Sequence, residues 1–460
     1  MSEEATNFRA GMVDGAQFEC AYLDDLTTAG TQSTGHTNFV DWFGLHAQGT
    51  ENPTGVPGLQ VDGYFLDDDS ETTRSPGNYY GKLKDNGEKK YPYDSQFVMR
   101  FPRDWNERLV ITGAPGVRGQ YANDFIIADF VLKKGYAFAS TDKGNSGSRF
   151  YSADKASGAA VAEWHERVKQ LTEATKDAAE KHYGQQPRRT YITGTSNGGY
   201  LTRYALEKYP ELYDGGVDCQ GPLWTDPEGY GSDPYRGPNL LTFLPWALRY
   251  FPEYKDLKSR AAREAMIRAG FEPDSEFLWD YYYAWYWSIT QRIYREEFDP
   301  FYIGADADYN YAERLNPPKQ ANPQLQQLVE QQAQEIKKAV KKVALTGDIG
   351  KPLITLHGTL DALLPIKKTS DRYTQLVNEA GRTDLHRYYR IEGGTHLDSL
   401  YDQQPGELRP LLPCYRASFE ALVRWVEEED YEPPLSQLVR KPDTGDVVNS
   451  CPRLEGKQSA

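Results

Sequence analysis

Thr190-Tyr191-Ile192-Thr193-Gly194-Thr195-Ser196-Asn197-Gly198-Gly199 is a short β-branched and aromatic run that ends in Gly-x-Ser-x-Gly and leads into a helical pattern. A strand that turns this tightly into a helix strains the serine backbone and leaves its hydroxyl exposed, the layout of a nucleophile elbow. Gly194 and Gly198 then have a steric task, because any Cβ two positions either side of Ser196 would collide where strand meets helix. Gly199 adds room for the helix to pack. The pentapeptide alone is a weak signal, since glycine- and serine-rich turns produce it by chance. The strand before it and the helix after it make Ser196 the candidate nucleophile.

A serine hydroxyl is a poor nucleophile until a base takes its proton, and the base needs an orienting acid. Lys351-Pro352-Leu353-Ile354-Thr355-Leu356-His357-Gly358 reads as a buried strand, and Asp361 sits in the loop that follows it and leads to Pro365. Tyr388-Tyr389-Arg390-Ile391-Glu392-Gly393-Gly394-Thr395-His396 then places a histidine on a glycine turn just past another strand. The interval from Asp361 to His396 fits one helix plus one strand. The interval from Ser196 to Asp361 has room for an extra domain. The candidate triad is therefore Ser196, Asp361 and His396. Asp218 is a rival acid at the end of the preceding strand. His357 is expected to be structural, His165 to be surface or packing, and Asp142 and Lys143 to make turn contacts.

An ester carbonyl under attack becomes a tetrahedral oxyanion, which needs two aligned backbone N–H donors. One belongs to Asn197, the residue after the nucleophile. The other is sought in Gly113-Ala114-Pro115-Gly116-Val117-Arg118-Gly119, the loop after a continuous apolar strand. Pro115 has no N–H, so Ala114 is the expected donor, with Gly116 or Val117 in reserve.

These three motifs, spanning about residues 95 to 430, resemble a serine hydrolase of the α/β-hydrolase fold. Gly135-Tyr136-Ala137-Phe138-Ala139-Ser140-Thr141-Asp142 and Tyr209-Pro210-Glu211-Leu212-Tyr213-Asp214-Gly215-Gly216 narrow the resemblance to the tannase and feruloyl-esterase relatives and the 3-hydroxybutyrate oligomer hydrolases. Tannases carry cysteines, joined by a disulfide, immediately before the catalytic serine and histidine. Here those positions are Thr195 and Thr395, so the likeness does not extend to that bridge.

The chain has 460 residues, enough for one main domain and a sizeable insertion. Residues 1–58 lack sustained periodicity and read as an irregular arm. Gln60 to Leu66 and Gln96 to Phe101 read as antiparallel strands, with loop between them. Strands and helices then alternate: strand near 108–112, helix near 120–134, strand 136–140, helix 158–183, strand 190–194, helix to about 208 and strand 215–219. That alternation predicts an α/β class with a mostly parallel sheet covered on both faces. The catalytic domain is expected at 59–222 and 346–460, its last helix near 416–429.

Residues 223–345 break the pattern. They carry no strand-like run and crowd aromatics, including Trp224, Tyr235, Trp279, Tyr283, Trp285 and Trp287. Asn322 and Pro323 open a helix whose stripe is Leu325, Leu328, Val329, Ile336, Val340 and Val343. This segment reads as a helical cap over the site. Most of its aromatics are expected to be cap core, and two or three to line a pocket. Trp224, Trp279, Tyr283, Trp285 and Trp287 are the substrate-binding candidates.

A net charge of −15 argues against nucleic acid or an anionic membrane as partner. No apolar run is long enough to span a bilayer, and the acidic start Met1-Ser2-Glu3-Glu4 is unlike a secretory signal. The expectation as written is cytoplasmic; a mature secreted domain would read alike. Cys20, Cys219, Cys414 and Cys451 have no metal-ligand spacing, and a Cys20–Cys451 staple and free thiols both stand open. Asp306-x-Asp308-x-Asn310 opens like a calcium loop but lacks its glycine and closing glutamate. No metal or cofactor is expected. The expected activity is hydrolysis of a carboxylic ester with apolar or aromatic parts, such as a phenolic ester or short polyester oligomer. Amide cleavage or acyl transfer would use the same triad, and a non-catalytic binding scaffold would share only the fold. Oligomeric state is left open.

Overall fold

Apolar runs such as Arg108–Gly113 and Leu353–Gly358 form strands buried on both faces. In the computed structural model, which describes residues 11–66, 95–144, 158–230, 240–301, 314–442, 444–452 and 454, they lie in the middle of one ten-stranded sheet. Its strands are β1 (Ala16–Leu23), β2 (Gly58–Phe65), β3 (Gln96–Pro102), β4 (Arg108–Gly113), β5 (Ala137–Thr141), β6 (Arg189–Thr195), β7 (Gly215–Cys219), β8 (Leu353–Gly358), β9 (His386–Ile391) and β10 (Gln437–Val439). Their order in space is β1-β2-β3-β5-β4-β6-β7-β8-β9-β10. The pairings from β1 to β5 are antiparallel, and those from β5 to β10 are parallel.

Parallel neighbours need crossovers, and helices supply them. The helices are α1 (Thr28–Thr34), α2 (Phe39–Trp42), α3 (Asp129–Lys133), α4 (Ala159–Tyr183), α5 (Asn197–Lys208), α6 (Leu240–Leu257), α7 (Arg260–Ala269), α8 (Glu276–Tyr282), α9 (Ser288–Phe298), α10 (Pro323–Lys341), α11 (Ser370–Glu379) and α12 (Leu412–Glu427). Strand side chains alternate between the two faces. Leu109 and Ile111 join the buried cluster under α4, α5 and α11, while Val110 joins the one under α3 and α12. On α4 the expected stripe of Trp164, Val168, Leu171 and Ala178 is buried.

The structure departs from the sequence reading at several places. The arm is not irregular throughout: β1 pairs along its whole length with β2, and α1 and α2 follow it. An edge strand with one wet face needs little apolar sequence, and β1 alternates half-buried with exposed positions. The arm is tied down by a buried network. Arg100 forms a two-pronged pair with Asp124 at 2.8 and 2.7 Å, Thr37 donates to Asp124, and Asn52 and Thr28 donate to Asp129. Strand β10 was also not expected, being only three residues. The helix expected over 120–134 begins as a π-helical turn at Asp124–Ala128, and the last helix starts earlier, at Leu412. On α10, Asn322 caps as expected, and Ile336, Val340 and Val343 are buried. Leu325 and Leu328 in its first turns are exposed, so the expected stripe is buried only in the second half of the helix. The Asp306–Asn310 run, Tyr235 and the expected loop over 67–94 lie outside the described residues.

The cysteines pair differently from the terminal staple considered. Cys414, in the first turn of α12, bonds Cys451, while Cys20 and Cys219 form no disulfide. Cys20 lies on β1 at one edge of the sheet, and Cys451 packs beside α12 near the other edge. The bridge closes a loop of 37 residues and docks the C-terminal segment with β10 against the sheet. Titration of the denatured, unreduced protein should therefore count two thiols. Cys451→Ser should lower unfolding stability by about 2–4 kcal/mol in denaturant melts, and an unchanged melt would mean the bridge does not form.

Candidate active site

The C-terminal ends of β6, β8 and β9 deliver the three candidate residues to one point. At the end of β6, Ser196 sits at φ 55° and ψ −122°, a region that non-glycine residues avoid, and α5 starts at the next residue. Close approach on all sides imposes it. A Cβ on Gly194 would lie 2.5 Å from the Gly198 carbonyl carbon, and one on Gly198 would lie 2.4 Å from Gly113 O. The loops after β8 and β9 meet in the same manner. A Cβ on Gly358 would lie 2.3 Å from the Gly394 carbonyl carbon, and Leu360 N donates to Gly394 O at 2.8 Å. Glycine on both sides thus lets the loop carrying Asp361 pack on the loop carrying His396.

His396 Nε2 stands 3.1 Å from Ser196 Oγ, and its Nδ1 stands 2.8 Å from Asp361 Oδ2. Asp361 Oδ1 accepts from the backbone N–H groups of Leu363 and Leu364, both at 2.8 Å. Burial raises the Asp361 pKa, but the His396 charge and hydrogen bonds from His357 and His396 outweigh it, leaving the carboxyl below its ordinary value. His357 is tied to Ser370 Oγ at 2.7 Å and Leu364 O at 2.9 Å, and its Nε2 reaches Asp361 Oδ2 at 3.2 Å. It supports the acid from behind. Gln220, with its amide nitrogen turned to the carboxylate, donates to the same oxygen at 3.1 Å. Asp218 is engaged elsewhere, with Arg203 Nε at 2.6 Å and Gly221 N at 3.0 Å. His165 packs on Tyr204 and bonds Tyr200, and Asp142 caps its own turn through Gly144 N.

The oxyanion expectation is half corrected. Asn197 N–H belongs to the first turn of α5, where helical donors are left open. Ala114 N–H is already spent on Thr141 O at 2.9 Å, extending the β4–β5 ladder, so Ala114 cannot donate. The reserve residues Gly116 and Val117 line the cleft. Asn197 also ties the parts together: its Nδ2 donates to Gly116 O at 3.1 Å, and Tyr294 on α9 donates to its Oδ1 at 2.8 Å.

Above Ser196 and His396 lies a cleft of about 620 Å³. The chain from Glu276 to Phe298 is one rod, with a π-helical turn at Tyr283–Trp287 between α8 and α9. Its face toward the cleft presents Tyr281, Trp285, Tyr286, Ile289, Ile293 and Tyr294. Of the five expected substrate-binding aromatics only Trp285 is there, and it is 70% exposed. Trp279 and Trp287 are fully buried and bond Ser275 Oγ and Ala362 O. Trp224 packs on Phe298 and Tyr294, and half-buried Tyr283 packs on Phe251. These four are cap core.

Sequence reasoning also missed Leu45, an arm residue on the cleft wall. Nothing local marks it. Arg118 Nη1 collects the carbonyls of Asp41 and Phe43 at 2.6 and 2.9 Å, binding that arm segment to the 113–119 loop. Asp41 accepts from Gly119 N, and burial pushes its pKa up to about 7. Among the described residues, no cluster of side chains suits a metal, and no helix is long and apolar enough to cross a membrane.

The comparisons with known proteins agree with this architecture. A family described as "Tannase and feruloyl esterase" matches residues 81–220, and one described as "3HB-oligomer hydrolase" matches residues 307–457. Feruloyl esterase B from Aspergillus oryzae superposes with a TM-score of 0.50 at 15% identity, over 92% of this chain and 90% of its own. The chain has the α/β-hydrolase fold. Within that class it is similar to the tannase and feruloyl-esterase group and to the 3-hydroxybutyrate oligomer hydrolases. A mono(2-hydroxyethyl) terephthalate hydrolase from Piscinibacter sakaiensis is 27% identical over 138 residues, 27% of this chain and 23% of its own. A D-(-)-3-hydroxybutyrate oligomer hydrolase from Burkholderia cenocepacia is 31% identical over 109 residues, 23% of this chain and 15% of its own. The chain thus spans less than a quarter of the length of these curated relatives.

The elbow packing makes Gly194 intolerant of a side chain. Gly194→Ala should lower the denaturation midpoint by the equivalent of about 1–3 kcal/mol or prevent folding, because the atoms it meets are backbone. A fully stable Gly194→Ala protein would contradict the geometry.

Proposed function

We propose that the protein is a serine carboxylic-ester hydrolase that acts through an acyl-enzyme. The observation that carries this reading is the Ser196–His396–Asp361 relay at 3.1 and 2.8 Å on the floor of an aromatic cleft. Ser196 Oγ attacks the ester carbonyl as His396 Nε2 takes its proton. Asp361 holds the imidazole so that Nε2 faces the serine, and balances the charge it gains. Asn197 N–H and the backbone of Gly116 or Val117 receive the oxyanion. The proton then passes to the leaving alcohol, and water, activated by the same imidazole, releases the acid.

The relatives' names, for a hydrolase of a terephthalate ester and for one of hydroxybutyrate oligomers, support a bulky, apolar or aromatic ester or a short polyester oligomer as substrate. The Cys414–Cys451 bridge supports work in a compartment where disulfides persist. Finding both thiols reduced in freshly isolated protein would remove that support.

Ser196→Ala should abolish ester turnover while leaving the melt intact, since losing a triad nucleophile costs on the order of a millionfold in rate. His396→Ala should be nearly as damaging, and the double variant hardly worse than either. Multiplying losses would show that the two do not act as a unit.

Trp285→Ala should lower kcat/KM for a bulky aromatic ester about tenfold or more, because apolar contact of this size is worth roughly 1–3 kcal/mol. Hydrolysis of a small acetate ester should stay near normal. Equal loss on both substrates would take Trp285 out of substrate recognition.

A further inference from the structure

Two hollows meet at His396. The wide cleft touches Ser196, Asn197 and the 115–118 loop as well as the imidazole. A second, narrow one of about 50 Å³ touches His396 and Thr195 but neither Ser196 nor the oxyanion loop. Its walls are Ile126 and Ile127 from the turn before α3, and Leu411, Leu412 and Tyr415 from the start of α12. Leu45 borders both hollows.

The polar groups of the narrow hollow are already engaged. Asp398 accepts from Leu411 N at 2.7 Å and Leu412 N at 2.9 Å, and the Tyr415 hydroxyl bonds Thr193 Oγ1 at 2.8 Å. Its occupant is therefore held by shape and apolar contact. One water needs about 10–15 Å³ on this measure, so the hollow takes about three or four non-hydrogen atoms.

The chemistry assigns the two hollows to the two halves of an ester. When the tetrahedral intermediate collapses, the carbon–oxygen bond to the alcohol breaks and the acyl–Ser196 ester remains. The departing oxygen takes the proton that His396 Nε2 had received from Ser196, so it must lie against the imidazole. The carbonyl oxygen must lie against Asn197 N–H and its partner donor. A hollow bordering His396 but not the proposed oxyanion donors suits the alcohol. The wide aromatic cleft is left for the acid.

We propose that the hollow between His396, Ile127 and Leu412 is the leaving-alcohol pocket, and that it selects esters of a bulky acid with a short, apolar alcohol. The inference rests on the esterase reading and narrows its substrate class.

The test uses two ester series on the full chain. In methyl, ethyl, propyl, butyl and hexyl benzoate, kcat/KM should hold up to propyl and fall about tenfold or more by hexyl, as a pocket of fixed size rejects added methylenes. Leu412→Ala should recover hexyl benzoate by about tenfold while leaving the order among ethyl acetate, ethyl butyrate and ethyl benzoate unchanged. Should that variant not fold, Ile127→Val should give a smaller shift in the same direction. A second measurement does not depend on any variant. During benzoate ester turnover, added methanol or propanol should capture the acyl-enzyme as a new ester far better than hexanol does. Indifference to alcohol length in the parent, or a Leu412→Ala change confined to acyl length, would overturn the assignment. Failure of the parent to cleave any of these esters would instead remove the esterase reading, and the inference with it.

Discussion

A serine held at φ 55° is the constraint on which the site depends. Such a conformation costs on the order of 1–3 kcal/mol and persists only where the surroundings over-determine it. Here they do. Ser196 N donates to Cys219 O on β7, Ser196 O accepts the first α5 bond from Tyr200 N, and Gly113, Gly194 and Gly198 close in from the sides. Strand β4, strand β6 and helix α5 thus share one contact. The same contact fixes where the 113–119 loop leaves β4, so the candidate nucleophile and the proposed oxyanion donors are set together.

The second half of the site is built by loop-on-loop packing. The loops after β8 and β9 touch backbone to backbone at Gly358 and Gly394, and this brings Asp361 to His396. Behind them stand His357, Gln220 and Ser370, each buried and bonded onward. The buried Arg203–Asp218 pair anchors α5 to β7 close by; breaking such a pair by removing one partner costs about 3–5 kcal/mol. Asp361 and His396 thus sit on loops whose backbones are held by close packing and by hydrogen bonds to buried neighbours.

The walls of the cleft come from other parts of the chain. The cap supplies one wall of the cleft through the rod from Glu276 to Phe298, and the arm supplies Leu45 on another. Asn197 links the two systems, bonded to the oxyanion loop through one amide atom and to Tyr294 through the other. A single side chain thereby bridges the cap and the 113–119 loop.

Ser196, Asp361 and His396 were legible because their positions obey local rules: a strand-to-helix turn that tolerates only glycine at its flanks, and carboxylate and imidazole just past strand ends. The α/β class followed from the alternation of apolar runs with helical stripes, and the cap from the loss of that alternation after β7. Other features were not legible because no local rule marks them. Ala114 failed as an oxyanion donor since its N–H completes the β4–β5 ladder, a partner 27 residues away that only pairing reveals. Trp279 and Trp287 are core and Trp285 faces the cleft, because the neighbours packed against each side of the rod decide which aromatics are covered. Leu45 and the Cys414–Cys451 bridge join segments hundreds or tens of residues from what they touch. By itself the sequence determined which residues have the chemistry for the site, since strain, charge and periodicity act between near neighbours. Only the tertiary structure decided which backbone donors stay free, which aromatics face the cleft and which cysteines meet, since each depends on what packs across from it.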